Sequence, residues 1–396
     1  MKHLLTCHEI IKSDIIRGDN CYLYDKSGNR YVDLESGVWS VVLGHNHPRI
    51  TEAIKKQIEH VTHLGYRYTN FVAEEAAKAL LDTIDLPDGK CIFLSSGSEA
   101  VEFAVQIAKI ITGKKFLLTF GESYLAAHGS AGRKDPTEWL SFDFNSCLTC
   151  EDSSCRQSCE RIEEIPFDEV GAFVFEPGSA SGTVKFPPDK LIKGIIGEVE
   201  RHNGLVVVDE VTTGFGRTGK WYGFNHYDLE PDIVACGKGL GNGYPISAVA
   251  MKRRIAEELE AKEFHYVQSH QNDPLGCAVA KEVIATLKEE KLVERSARLG
   301  RRLFSDLCRL AERFDFVHEV RGRGLMIGMQ LCEGVPRSPN STLIFREMLR
   351  RGFLIGYHPT HNVIRFFPSL TIEEGEIARL VGTIERVLSE QTQELD

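Results

Sequence analysis

An α/β protein with a mostly parallel sheet, flanked by helices and joined to a smaller α+β region, is the fold class that this sequence predicts. Three observations carry the prediction. Short apolar runs recur through the middle of the chain, at CIFL (91–94), FLLTF (116–120), AFVF (172–175), LVVVD (205–209) and DIVAC (232–236). Stretches of helical character separate most of them, and strands buried on both faces with helical crossovers form parallel sheets. The length of 396 residues exceeds the roughly 250 to 300 at which a single core stops growing, so a second, smaller unit is expected.

The elements follow in order. CYLYDKSGNRYVDLES (21–36) alternates apolar and polar residues on both sides of a Ser-Gly-Asn turn and reads as a hairpin. Ile50, Ile54, Ile58 and Val61 recur at helical spacing, and a further helix is expected near 72–84. Helices are also expected from about 98 and over 189–202, with a last strand at PISAVAM (245–251). The long helical stretch over 271–310 gives way to strand-like texture at VRGRGLMIGMQL (320–331), FLIGYHP (353–359) and NVIRFFP (362–368). The expected division is an N-terminal segment of the small domain (1–49), a large domain (50–289) and a C-terminal small domain (290–396).

Composition narrows the partners. The net charge of −10 is spread along the chain, and no Lys/Arg stripe with interleaved aromatics stands out, which argues against nucleic acid. No run approaches 18 apolar residues, and MKHLLTCHEIIKSD lacks the apolar stretch of a signal peptide. The chain reads as cytosolic, with no membrane partner and with its eleven cysteines mostly as thiols.

Three stretches carry chemistry. SSGSEA (95–100) follows a strand and opens a helix, so Ser96, Gly97 and Ser98 put hydroxyls and a bare backbone where helical N–H groups lack partners. That is a phosphate cradle, or simply a capped helix start. In DIVACGKGLGNGYP (232–245), Lys238 follows an apolar strand. Burial there would lower the amine pKa and equip it to form a Schiff base with a carbonyl; the plain alternative is a solvated loop lysine. In LVVVDE (205–210), Asp209 ends a buried strand, where an unmatched carboxylate costs several kcal/mol unless a cation or proton meets it. Together they point to pyridoxal 5'-phosphate, which offers a phosphate, an aldehyde and a ring nitrogen that an acidic partner keeps protonated.

The chain resembles the class III, ω-amino acid type aminotransferases of the fold type I pyridoxal-phosphate enzymes. YVDLESGVWSVVLGHNHP, SSGSEAVEFAVQIAK, VVVDEVTTGFGRTG, DIVACGKGLGNGYPISAV, NDPLGCAVA, VRGRGLMIG and VIRFFPSL carry the resemblance nearly end to end. It implies a seven-stranded-type sheet in the large, cofactor-binding domain and transfer of an amino group from an amine or amino acid to a keto acid or aldehyde. Lys238 would hold the cofactor and then move the proton. Asp209 would hold the ring nitrogen, Val211 and Tyr124 would cover the two ring faces, and Gly97 and Ser98 would bind phosphate. Ser269 matches a position that reaches the phosphate of a neighbouring subunit, which implies a homodimer with a shared active site. Arg365 would receive a substrate carboxylate, or else pack at the domain interface. Trp39 would wall the substrate pocket, or else be a core tryptophan. Glu176 and Arg217 match structural positions.

Two departures bear on substrate: Tyr124 is followed by Leu125 and Ala126 instead of His-Gly, and Thr212 replaces a frequent glutamine. A third, SCLTCEDSSCRQSC, sets Cys147, Cys150, Cys155 and Cys159 within thirteen residues. It is a candidate zinc site, an iron–sulfur cluster also fitting on ligand count, or a loop of free thiols. Relatives with the same constellation also include epimerases, an aminomutase and lyases, and a non-catalytic scaffold or regulator remains the third alternative.

Overall fold

The computed structural model describes residues 3–151, 155, 159–179, 181–332 and 339–393. Three sheets organise them. The N-terminal sheet holds β1 (Ile15–Asp19), β2 (Tyr22–Asp25) and β3 (Arg30–Asp33), and β2 pairs antiparallel with β3 from Tyr22↔Val32 to Tyr24↔Arg30. The expected hairpin is therefore present. Helices Pro48–His60 and Phe71–Ile84 follow; Pro begins the first, and Asn70 caps the second through its side chain.

The central sheet is built from β4 (Lys90–Leu94), β5 (Phe116–Phe120), β6 (Trp139–Phe142), β7 (Val170–Phe175), β8 (Leu205–Asp209), β9 (Ile233–Cys236) and β10 (Ser247–Met251). Its order is β4-β10-β9-β8-β7-β5-β6. Every residue of β7, β8, β9 and β10 is buried, as expected of strands covered on both faces. Helices Gly97–Thr112 and Asp189–Arg201 pack against this sheet. Strands β6, β5, β7, β8 and β9 pair in parallel, whereas β10 runs antiparallel to both β9 and β4. Only a short loop joins β9 to β10, too little chain for the dozen or more residues that a parallel crossover needs.

With β10 reversed between them, β4 and β9 point the same way as β5, β7 and β8. The carboxyl ends of all five open on one edge, where ligands of such sheets collect. Helices Pro274–Glu289 and Leu292–Ala311 lead to the third sheet, ordered β11 (Val317–Arg323), β12 (Met326–Leu331), β15 (Val363–Phe366), β14 (Gly356–His358). Helix Ser341–Arg350 precedes β13 (Phe353–Leu354), which leaves that group and pairs in parallel with β3. Helix Glu374–Gln393 packs against helices Leu292–Ala311 and Ser341–Arg350. Among the described residues no helix is long and apolar enough to cross a membrane.

Candidate active site

The residues just past the common strand edge form the site. β8 ends on Asp209, which is 3% exposed. Burial pushes its carboxyl up to about 7, against the opposing pull of the Val211 N–H and the Lys238 amine. Its one hydrogen bond among the described residues comes from Val211 N at 2.9 Å. β9 ends one residue before Gly237, and Lys238 follows with φ +41°. Burial draws its amine below the usual lysine range, and Asp209 and Glu176 only partly offset this. Lys238 Nζ donates to Thr212 Oγ1 at 2.6 Å and sits 4.8 Å from the centre of the Trp39 ring.

β4 delivers the cradle. Ser96 caps helix Gly97–Thr112, its hydroxyl accepting from Glu99 N at 3.2 Å. The first-turn N–H groups of Gly97 and Ser98 have no intrahelical acceptor. Gly97 is required by contact: a Cβ there would lie 2.6 Å from Val211 Cγ1. Gly237 is also close-packed, since its Cβ would stand 3.3 Å from both Gly97 Cα and Val211 Cγ1. The Ser98 hydroxyl accepts from Ala127 N at 2.9 Å, which ties the cradle to the segment carrying Tyr124. Tyr124 is half exposed, and its backbone N–H is held by Glu176 Oε2 at 2.8 Å. Leu125 and Ala126 are buried as apolar packing.

The opposite wall comes from the N- and C-terminal segments. Trp39 stacks on Phe367 at 4.9 Å and lies 5.2 Å from the Arg365 guanidinium. Arg365 Nη2 pairs with Glu35 Oε2 at 3.4 Å, while its buried Nε has no partner. Glu35 also accepts from Trp39 Nε1 at 3.4 Å, and burial raises its carboxyl despite Arg365. Gly182 and Gly356 leave room for this group: a Cβ on the first would meet Arg365 Nη1 at 2.7 Å, and on the second Glu35 Oε1 at 2.0 Å.

Lys238, Asp209, Val211, Gly97, Trp39 and Arg365 are thus brought to one edge. Ser269 is exposed on the loop whose Gln268 Nε2 donates to Ser95 Oγ at 2.9 Å. Arg217 is fully buried and donates to Leu325 O at 3.1 Å and Pro368 O, a structural tie between the loop after β8 and the C-terminal segment. Glu35 is the residue that sequence reasoning missed. Its signal was present in principle, as an acid four residues before the Trp39 already singled out.

The zinc expectation is corrected. No three of the Cys147, Cys150, Cys155 and Cys159 thiols lie within 4.8 Å of one another; among the described residues the one such ligand group is His63, His270 and Asp273. Tetrahedral thiolates about 2.3 Å from zinc stand about 3.8 Å apart. Cys147 and Cys155 are instead buried as apolar side chains, Cys155 against Gly194 of helix Asp189–Arg201. That burial raises both thiols, and the Arg161 guanidinium, with Nη1 3.9 Å from the Cys147 sulfur, partly offsets it there.

The residues present fit pyridoxal phosphate. A buried carboxylate with no salt bridge among the described residues, a buried amine drawn toward neutrality and a helix start whose first N–H groups lack intrahelical acceptors converge at the strand ends. Comparison with known proteins agrees. The chain is 31% identical over 381 residues to the acetylornithine aminotransferase of Archaeoglobus fulgidus, covering 96% of each. Its fold superposes with a TM-score of 0.88 on a transaminase from the marine bacterium Virgibacillus, at 26% identity, covering 100% of this chain and 98% of that one. It also superposes with a TM-score of 0.84 on the ornithine aminotransferase of Toxoplasma gondii, in which PLP partly occupies the active site, at 26% identity over 98% and 93% of the two chains. With the family model for class-III aminotransferases matching residues 7–388, this chain belongs to the class III aminotransferases and acts as a transaminase.

Proposed function

We propose that Lys238 is the residue that holds the cofactor aldehyde and moves the proton during amino transfer, with Arg365 receiving the carboxylate of a substrate. The observation that carries this reading is a shared wall: the Lys238 amine and the Arg365 guanidinium both lie against the ring of Trp39. Pyridoxal phosphate, when bound, supplies the carbonyl that takes up the amine and the electron sink that stabilises negative charge at the substrate carbon.

The chain does the rest. Burial draws Lys238 toward its neutral, proton-accepting form, and the Thr212 hydroxyl fixes its Nζ. Asp209 would keep a proton on the ring nitrogen, Val211 and Tyr124 would cover the ring, and the N–H groups of Gly97 and Ser98 would hold the phosphate. Ser269 comes from a second copy of the chain, so the working unit is a homodimer. Trp39 and Phe367 keep water from the reacting carbon. Arg365 offers the bidentate fork that suits a carboxylate. Glu35 occupies that fork until substrate arrives. The donor is an amine or amino acid and the acceptor a keto acid or aldehyde; relatives named for acetylornithine and ornithine support donors that carry both an amino group and an acid.

Lys238→Ala tests the assignment. Transamination should fall by at least about 100- to 10,000-fold, the contribution of a positioned acid–base group, with an unchanged far-UV circular dichroism spectrum. Turnover surviving at wild-type levels would reject it.

A further inference from the structure

Away from the reacting groups, two imidazoles share one carboxylate. His63 Nδ1 lies 2.9 Å from Asp273 Oδ1, and His270 Nδ1 lies 3.2 Å from Asp273 Oδ2. The two rings are 4.4 Å apart at their centres, and one ligand atom from each of the three residues lies within 4.8 Å of the other two. The residues come from separate stretches: the loop after helix Pro48–His60, the loop that carries Ser269, and the cap position of helix Pro274–Glu289. An aspartate at a helix cap ordinarily turns to the free N–H groups of its own helix. Asp273 makes no such bond and gives both oxygens to the imidazoles.

We propose that His63, His270 and Asp273 form a site for a divalent cation of the zinc type. Two imidazole nitrogens and a carboxylate oxygen are a donor set that zinc accepts, with the fourth position left to water. Bonds of about 2.0 to 2.1 Å in tetrahedral geometry separate ligand atoms by about 3.3 Å, so three ligand atoms that now lie within 4.8 Å of one another need to draw together by at most about 1.5 Å. Each imidazole then presents its Nδ1 lone pair to the ion, and the proton held at Nδ1 moves to Nε2 or is released to solvent.

The position gives the ion a structural task. The loop containing His270 is already laced to β4: Asn272 N donates to Phe93 O at 2.9 Å, and Asn272 Oδ1 accepts from Phe93 N at 2.9 Å. β4 runs directly into the cradle at Ser95–Ser98, and a cavity of about 180 Å³ bordered by Ser95, Tyr244, His270 and Asp273 adjoins it. A cation fastens the loop before helix Phe71–Ile84 to this assembly. It stabilises the rim without entering the chemistry of transamination.

The test uses the full-length protein loaded with pyridoxal phosphate and titrated with Zn²⁺ alone and with Co²⁺ alone. The cobalt spectrum separates nitrogen and oxygen ligands, which give weak visible bands, from thiolates, which give intense near-ultraviolet charge transfer. One cation per chain, a nitrogen–oxygen spectrum and a raised melting temperature are expected. His63→Ala and His270→Ala alter side chains that are 42% and 58% exposed in the single chain, and each should weaken binding by at least about tenfold. The proposal is overturned if wild type takes up no ion, if either variant binds within about twofold of wild type, or if the spectrum is that of thiolate ligation.

Discussion

Two acids stand side by side at the end of β8. Glu210 is fully buried and uses its carboxylate on three donors, Thr213 Oγ1 at 2.7 Å, Gly223 N at 2.8 Å and Phe224 N at 2.8 Å. Asp209 has one donor. Burial pushes both up to about 7, so both penalise the folded chain as pH rises from about 4, where the unfolded carboxyls ionise, through about 7. Asp209→Asn removes the Asp209 share. The cofactor-free variant should therefore match wild type near pH 4 and exceed it by a few kcal/mol at pH 8, read by denaturant titration across that range. With cofactor present the same variant should lose at least about 100-fold in kcat if Asp209 has the proposed role beside the ring nitrogen. Equal stability at pH 8 would mean that the carboxylate is already compensated by a group of the protein. The residues that sequence alone located, Asp209 and Lys238 above all, were legible because a charge ending an apolar run demands a partner. Glu35 was not, because its meaning depends on Arg365, 330 residues away.

At the scale of single elements, the segment after β3 departs most from local expectation. Ser36, Gly37, Val38 and Trp39 have φ of +46°, +58°, +56° and +68°, a left-handed turn that costs non-glycine residues roughly 1–2 kcal/mol each. Asp33 holds it: its oxygens accept from Glu35 N at 2.9 Å, Ser36 N at 2.9 Å and Gly37 N at 3.1 Å, with His45 Nε2 at 2.8 Å. Asp33→Asn weakens these charge-assisted bonds and should cost about 1–3 kcal/mol of stability. It should also raise KM for acid substrates more than it lowers kcat, since the turn presents Glu35 and Trp39 beside Arg365; steady-state kinetics with denaturant titration separates the two. Nothing in ESGVW announces such a turn, because one glycine does not signal three strained neighbours. Most strands of the central sheet, and the helices near 50–61, 72–84, 98–112, 189–202 and 271–310, were legible from their periodicity, whereas helices Ser341–Arg350 and Glu374–Gln393 were not. The reversed direction of β10 was not, since an apolar strand buried on both faces reads alike in either sense. The edge strand β6 escaped for a different reason, its exposed Ser141 interrupting the apolar signal.

Over the whole molecule, the pocket is a meeting of distant parts. The central sheet supplies Asp209, Lys238 and the proposed phosphate cradle. The N-terminal sheet reaches the C-terminal segment through β13 and through Ser36 Oγ, which donates to Phe367 O at 2.5 Å. Glu35 and Arg365 are a charged pair across that junction, at 3.4 Å. Glu35→Gln keeps an acceptor for Trp39 Nε1 and releases the guanidinium. KM for carboxylate substrates should then fall by up to about fivefold, the worth of an ion pair of about 1 kcal/mol, while substrates without an acid group should be unaffected. A uniform change for both classes would mean that Glu35 shapes the pocket without competing for Arg365.

The Ser36–Phe367 and Glu35–Arg365 contacts also set an order of events during synthesis. At about 5–20 residues per second, a ribosome needs about 15 to 65 s to travel the 330 residues from Glu35 to Arg365. Throughout that interval the nascent chain can complete its central sheet, amine and buried acid included, while the strained turn still awaits the strand that will back it.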